Sequence, residues 1–417
     1  MRRTLPILGA ILTAASLAHA GALTVGEEVT ILEDGPGEGV QATPAAAFGN
    51  GGYLVVWREG WHGEGGASRI YAARVDTSGK VLDPKGIEVA SSEKGVQTAP
   101  RVAFGGGVFL VVWQDLRNGA DYDVYAARVS PEGKVLDAKP IVVAQGKGQQ
   151  ALPDVASDGE NFVVAWQGIE EVKGAPGFSI FAAAVSAAGA IGKTNKLPLP
   201  FAEPKIAWGG KHYFVTVSQI GRGLRLDASG APVEGADGKI SRGLSFRFNY
   251  KAVGGGPKGW LILADRSAPD YWGWGGPGAM RSYLVGPDGK LDAGIKKEPA
   301  GVKAKQSNWL DLGKSKNECA PWPAGAAAVA WDGTQFVAVW QRHHVTKTVL
   351  YTNCDLFATR LDGFKPLDRD GVPVAVSGDE EKNPALASGG AGKLLCVYER
   401  HGADGKVRIS ARTLKTK

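Results

Sequence analysis

Histidines are concentrated in the segments that follow a recurring apolar strand. Four of them occur within a few residues of such a strand: His62, His343, His344 and His401. Imidazole is a common metal ligand and acid–base group, and three glutamates lie close by in sequence: Glu59, Glu64 and Glu399. A mixed His/carboxylate site is therefore one interpretation, and polar surface histidines without a specific role are the other. Because no short-spaced motif such as HExxH is present, we predict ligand contacts for these histidines and for Trp61, with no metal ligand and no catalytic residue.

A second cluster combines charged and aromatic side chains. It contains Asp265, Arg266, Trp272 and Trp274. Aromatic rings stack on the apolar faces of sugars, and aromatic residues with a polar handle are also enriched at protein interfaces. The competing interpretation is that these rings pack their loop against the fold. We expect this cluster to contact a ligand.

Much of the chain consists of copies of one repeated unit. Residues 100–143 read PRVAFGGGVFLVVWQDLRNGADYDVYAARVSPEGKVLDAKPIVV, and residues 44–89 are closely similar. Each unit predicts four short strands separated by Gly and Pro turns. In the second unit these are Arg101–Phe104, Val108–Gln114, Asp123–Val129 and Val135–Val143. The mature chain shows no convincing helical period, so the fold class is all-β.

The second strand of the unit recurs seven times along the chain. Its copies end at Trp57, Trp113, Trp166, Val217, Ala264, Trp340 and Tyr398. The last unit ends after its third strand, and the N-terminal segment contributes an isolated strand, Glu28–Leu32. A ring of four-stranded blades removes its exposed edges when one blade takes a strand from the other terminus. We predict one seven-bladed β-propeller over residues 21–417, with an insertion at about 294–321; six blades is the alternative.

The segment from Trp113 to Leu136 resembles the repeats of secreted bacterial propellers of the TolB type. Arg117-Asn118-Gly119, Val124-Tyr125 and Glu132-Gly133 match the Arg-x-Gly loop, the Ile-Tyr strand and the Gly hairpin of those repeats in order. The resemblance covers three units well and departs at the first strand. It implies a propeller fold and export, and it carries over no catalytic residue.

Residues 1–20 have the features of a secretory signal peptide. Arg2 and Arg3 precede the apolar stretch Leu5–Leu17, which is followed by Ala18-His19-Ala20. This pattern predicts cleavage after Ala20 and a periplasmic or extracellular protein without a membrane span. The formal net charge is +6, but no basic stripe interleaved with aromatic residues indicates nucleic-acid binding.

The three cysteines are Cys319, Cys354 and Cys396. Cys396 lies in an apolar run, which leaves Cys319–Cys354 as a candidate disulfide of an exported protein. No Gly cluster continues into a phosphate-binding loop and no nucleophile elbow appears, so we expect no cofactor. These observations predict a non-enzymatic module for a protein or glycan ligand. The alternatives are a secreted polysaccharide hydrolase or lyase and a metal-dependent enzyme that uses the histidines.

Two recurring polar residues are interpreted as parts of the scaffold. Gln41, Gln97 and Gln150 each precede the Pro of an inner strand by three residues, which predicts capping of backbone groups, with ligand contact as the alternative. Arg74, Arg128 and Arg360 share one position of the third strand, and they are expected to pair between blades, for example with Asp83 and Asp137.

Overall fold

The regular structure of the chain consists of β-strands alone in the part that is described. The computed structural model describes residues 22–35, 40–60, 67–92, 95–172, 175–199, 203–217, 223–233, 248–266, 280–290, 326–344, 353–368 and 371–417. These residues form seven small antiparallel sheets arranged as a seven-bladed β-propeller. The predicted fold class is confirmed.

Each of the first three blades has four strands in sequence order. Blade 1 contains β2 (Gln41–Gly49), β3 (Gly52–Glu59), β4 (Arg69–Asp76) and β5 (Ile87–Ala90), after the isolated strand β1 (Thr24–Thr30). Blade 2 contains β6 (Gln97–Gly105), β7 (Val108–Asp115), β8 (Asp123–Val129) and β9 (Ile141–Ala144). Blade 3 contains β10 (Gln149–Ser157), β11 (Phe162–Val172), β12 (Ala175–Val185) and β13 (Asn195–Leu197).

Blades 4 and 5 have three strands each in the described residues. Blade 4 contains β14 (Pro204–Trp208), β15 (Tyr213–Val217) and β16 (Gly223–Leu226), and blade 5 contains β17 (Phe248–Gly256), β18 (Gly259–Arg266) and β19 (Met280–Val285). Blade 6 contains β20 (Ala327–Trp331), β21 (Phe336–His344), β22 (Asn353–Asp362), β23 (Lys365–Pro366) and β24 (Val372–Ala375). Blade 7 contains β25 (Glu380–Gly390), β26 (Lys393–His401) and β27 (Val407–Lys415). The predicted insertion at about 294–321 lies outside the described residues.

The N-terminal strand completes the last blade. β1 pairs antiparallel with β27, so blade 7 has the order β25-β26-β27-β1. The prediction of closure by an N-terminal strand is confirmed, although the strand covers Thr24–Thr30 rather than Glu28–Leu32. Glu28 fastens it: its carboxylate accepts hydrogen bonds from the Tyr398 hydroxyl at 2.7 Å and from Arg400 Nη1 at 2.9 Å.

The hydrophobic core is divided into seven clusters, and each one fills the seam between two adjacent blades. Successive side chains of a strand point to opposite faces, so both faces of a radial blade are buried. In β3, Leu54 and Val56 pack towards blade 2, whereas Val55 and Trp57 pack towards blade 7. This explains why the second strands are continuous apolar runs rather than alternating ones.

Two sequence predictions about the scaffold need correction. The fourth strand of blade 2 is Ile141–Ala144 rather than Val135–Val143, because Val135 makes only a single bridge to Val129. The recurring arginines pair within their own blade: Arg128 binds Asp137 in bidentate fashion, and Arg74 binds Asp83 in the same way. The two partners are joined by a tight hairpin of one blade, which brings them together locally.

Candidate functional site

The inner strands enclose an axial channel. The strands β2, β6, β10, β14, β17, β20 and β25 contact one another in a closed cycle of seven. In each antiparallel pair, the inner strand begins where the second strand ends. One mouth of the channel is therefore surrounded by the first residues of the inner strands and the last residues of the second strands. We call this region the channel mouth.

In five blades, the residue directly before the proline of the inner strand has the left-handed conformation. These residues, with φ between 51° and 59°, are Thr43, Ala99, Leu152, Glu203 and Asn383. A bulge in the strand register occurs at this point in blades 1, 2, 3 and 7. Left-handed φ values are unfavourable for residues other than Gly, and they persist where the surroundings determine them. The bulge takes the backbone N–H of this residue out of the strand ladder, so the N–H needs another acceptor.

A polar side chain of the preceding blade supplies that acceptor in four cases. Gln114 Oε1 accepts from Leu152 N at 2.8 Å, and Gln167 Oε1 accepts from Glu203 N at 3.2 Å. The other two pairs are Gln341 Oε1 with Asn383 N at 3.4 Å and Glu399 Oε1 with Thr43 N at 2.7 Å. All four acceptors are buried, and each directly follows the Trp or Tyr that ends the apolar run of a second strand. They form a ring around the channel mouth, the capping ring.

Blade 1 breaks this rule. The residue at the capping position is Arg58, which lies next to Ala42 in the register. Its guanidinium has only hydrogen-bond donors, so it cannot accept a hydrogen bond from the N–H of Ala99. Arg58 is 6% exposed, and its Nε and Nη1 atoms are buried without a hydrogen-bond partner. The Oγ1 atom of Thr43, one residue beyond Ala42, is also buried without a partner. Two adjacent positions of blade 1 therefore hold three unsatisfied polar atoms.

The electrostatic surroundings of Arg58 come from both neighbouring blades. Burial lowers the pKa of Arg58, and the charge of Glu399 and the hydroxyl of Tyr122 act in the opposite direction. Burial raises the pKa of Tyr122, so this side chain remains a neutral hydroxyl at neutral pH. Within the described residues, no carboxylate lies within 4.0 Å of the Arg58 guanidinium.

Glu399 is already engaged by other groups. Its Oε1 accepts from Thr43 N, and its Oε2 lies 3.2 Å from His401 Nε2. Burial would raise the pKa of Glu399, but hydrogen bonds from His401, Thr43 and Asn383 outweigh it and lower the pKa. The carboxylate is therefore ionised and held in place, and it does not satisfy the donors of Arg58.

Buried polar groups are normally hydrogen-bonded, and an orphaned charged group is costly. The guanidinium presents N–H donors in a fixed fork that matches a carboxylate or phosphate oxygen pair. With the hydroxyls of Thr43 and Tyr122 close by, the channel mouth at blade 1 can bind an anionic group.

The predicted ligand-binding residues are distributed around the same face. His401 ends β26 and contacts Glu399, so it belongs to the channel mouth. His343 and His344 end β21, and Asp265 and Arg266 end β18; only their backbone positions are described. Trp61, His62, Trp272 and Trp274 lie outside the described residues. Among those described, no group of three or more His, Cys, Asp or Glu side chains is placed to hold a metal ion.

The candidate disulfide remains a prediction. Cys354 is buried and its sulfur accepts from Gln341 Nε2 at 3.2 Å, but Cys319 lies outside the described residues. The glutamines at the inner strands serve the scaffold: Gln41 Nε2 donates to Leu32 O at 3.0 Å, whereas Gln97 and Gln150 bind the side chains of Asp115 and Trp166.

Sequence reasoning missed Arg58, Thr43 and the capping ring. The available signal was the residue after each VVW-like run, which is Gln or Glu in the four capping blades and Arg in blade 1. Recognising its meaning requires knowing which backbone N–H the bulge leaves without a partner.

The fold and the site define a seven-bladed propeller with a polar channel mouth. No protein-family model matches the chain and no curated protein matches its sequence, so the resemblance to TolB-type repeats stays a prediction. Of the described residues, none forms a helix that is long and apolar enough to cross a membrane.

Several solved structures are similar in fold. A protein of unknown function from Dyadobacter fermentans is 12% identical, with a TM-score of 0.46, and the match covers 95% of this chain and 99% of that chain. The hemagglutinin-neuraminidase of parainfluenza virus 5 is 8% identical over 95% of both chains, with a TM-score of 0.49. A mutant of Trypanosoma rangeli sialidase displaying trans-sialidase activity is 10% identical, with a TM-score of 0.47. That match covers 96% of this chain and 60% of the sialidase chain.

Proposed function

We propose that this chain is an exported, non-enzymatic binding module whose channel mouth takes an anionic group of a protein or glycan ligand. The observation that carries the proposal is Arg58: a buried guanidinium with two unpartnered N–H groups at a position where four other blades carry a capping acceptor. A ligand carboxylate would satisfy these donors and compensate the burial of the charge.

The test uses Arg58→Gln, because Gln is the residue that the other blades place there. The variant is expected to keep the fold, since its amide oxygen can cap the N–H of Ala99. Arg69→Gln is the matched control: it removes the same charge from the same blade, at a side chain that is 46% exposed and pairs with Glu88. Binding is measured on an array of carboxylate-bearing and neutral oligosaccharides and peptides.

Wild type and Arg69→Gln are expected to be retained on carboxylate-bearing probes and not on neutral ones. Arg58→Gln is expected to lose about 10- to 100-fold in affinity, which corresponds to the loss of charge-assisted hydrogen bonds. Undiminished binding by Arg58→Gln, or retention of the wild type on neutral probes alone, would refute the proposal.

The N-terminal sequence supports the proposed location of the protein. Cleavage after Ala20 would leave β1, which begins at Thr24, intact. We expect the mature protein in the periplasm or outside the cell, beginning at Gly21. N-terminal sequencing of the protein from the cell envelope and the medium checks this, and an uncleaved N-terminus in the cytoplasmic fraction would contradict it.

A further inference from the structure

At one register level, the inner strands that surround the channel are divided into a charged part and an alanine part. In every blade, one inner-strand residue pairs with the second-strand residue that precedes the capping position by two. In blades 1, 5, 6 and 7 this residue is alanine: Ala45, Ala252, Ala328 and Ala385. In the three successive blades 2, 3 and 4 it is charged: Arg101, Asp154 and Lys205.

These three charged residues interact through the enclosed space. Arg101 and Asp154 both act on the pKa of Lys205. Since blade 3 separates blade 2 from blade 4, the interaction between Arg101 and Lys205 takes place across the space that the inner strands surround. Lys205 is only partly accessible to solvent and is surrounded by protein, as expected for a side chain facing an internal channel.

The carboxylate of Asp154 is committed to other partners. Its Oδ1 accepts from Val155 N at 3.1 Å and lies 3.9 Å from Arg101 Nε, and its Oδ2 accepts from Ile206 N at 2.9 Å. The ammonium of Lys205 has no hydrogen bond and no ion pair within 4.0 Å in the described part of the chain. Glu203 also acts on Lys205, but its own side chain is exposed to solvent.

Burial lowers the pKa of Lys205, and Arg101 lowers it further, whereas Asp154 and Glu203 oppose this change. An amine in such surroundings gains its charge most readily when an anion enters beside it.

The strand register gives the axial component of the separation between the two cationic positions, which lie in blade 1 and in blade 4. Arg58 lies beside Ala42, whereas Lys205 occupies the position of Ala45, three residues further along the inner strand. At a rise of about 3.3 Å per residue, and allowing for the bulge, the two levels are roughly 7 to 10 Å apart along the channel.

We propose that Lys205 forms a second anion subsite inside the channel, and that the protein or glycan group held by Arg58 is a chain end with two carboxylates. This inference rests on the proposed function of Arg58 and adds the chemical class of the ligand. A ligand with one carboxylate occupies the mouth alone, and one with two carboxylates at the matching separation reaches both cations.

The experiment measures calorimetric binding of suberate, succinate and monomethyl suberate. Suberate has two acids on a long chain, succinate has them too close together, and the monomethyl ester keeps the chain but has one acid. Wild type is expected to bind suberate at least tenfold more tightly than either. Lys205→Ala, which introduces the residue that four other blades carry, is expected to reduce suberate binding to that of the ester and to leave the ester unaffected.

Arg58→Gln separates the two proposals. If it weakens the ester while Lys205→Ala leaves suberate binding unchanged, the subsite is refuted and the anion site at the mouth stands. If Arg58→Gln leaves ester binding unchanged, the proposed function itself fails. Equal binding of suberate and its ester to the wild type also refutes the subsite. Lys205→Gln serves as the second variant where Lys205→Ala does not fold.

Discussion

A buried carboxyl in the closing blade makes the stability of the ring depend on pH. Glu381, in β25, is fully buried; its Oε1 accepts a hydrogen bond from Ser377, and its Oε2 has no partner. Burial raises the pKa of Glu381 to about 7; the bond from Ser377 lowers it, and the nearby charges of Asp355, Glu28 and Asp379 raise it. We predict that Glu381→Gln stabilises the protein at alkaline pH relative to acidic pH.

The sign and the size of this pH-dependent change in stability follow from the two protonation states of Glu381. A carboxyl whose pKa rises from 4.5 to about 7 on folding binds more protons in the folded state between these values. The folded protein therefore loses stability as the pH rises through this window, by at most about 3 kcal/mol above pH 7. Below pH 4.5 the side chain is protonated in both states and contributes no such penalty.

The assay is denaturant unfolding at pH 5 and pH 8, followed by tryptophan fluorescence. The difference in unfolding free energy between Glu381→Gln and wild type is expected to be more favourable at pH 8 by about 2–3 kcal/mol. Comparing the two pH values removes any pH-independent effect of the amide on packing. Glu380→Gln, at a partly exposed neighbour that pairs with Lys382, is the control and is expected to change stability by less than about 1 kcal/mol. A Glu381→Gln difference that is the same at both pH values would show that this carboxyl does not titrate on folding.

Two further predictions concern the bulge and the closing strand. Ala99→Gly is expected to stabilise the protein by up to about 1 kcal/mol, because Ala99 has a φ of 53° that Gly adopts without strain. The control is Ala47→Gly, in a regular part of β2, which should destabilise the protein, so a loss of stability in Ala99→Gly contradicts the strain argument. Glu28→Ala is expected to cost about 1–3 kcal/mol in unfolding free energy, because it leaves the buried Tyr398 hydroxyl without its acceptor. The control is Glu27→Ala at the exposed neighbouring residue, and equal melting temperatures of the two variants would show that Glu28 does not hold the strand in place.

The fold was predictable because its signals are local and recur. Each second strand is a continuous apolar run that begins next to a Gly turn, and the isolated strand at the N-terminus has one available partner, the incomplete last blade. The strand bounds were less predictable: Ile141–Ala144 is shorter than the predicted Val135–Val143, because the hairpin before it is held by the Arg128–Asp137 pair rather than by a ladder.

The candidate site was predictable only in its location. The loops after the second strands do surround one mouth of the channel, and His401 lies there. Arg58 could not be recognised, because its significance depends on a neighbouring blade. The bulge at Ala99 leaves a backbone N–H without a partner, and Arg58 cannot accept a hydrogen bond from it. The charges at Arg101 and Lys205 likewise appear as isolated residues until the register places them at one level of the channel.

Pairing of β1 with β27 also sets the order in which the molecule can fold. The two strands lie at opposite ends of the chain, with Thr30 opposite Ser410. Bringing such distant segments together has a loop-closure entropy cost, and folding of the intermediate blades reduces this cost by shortening the flexible chain between the two strands. During synthesis the first strand remains unpaired until the strands of the last blade have been made. We therefore expect ring closure to be the slow, late step of folding, and the unpaired edge of β27 to be the surface through which incompletely folded chains associate.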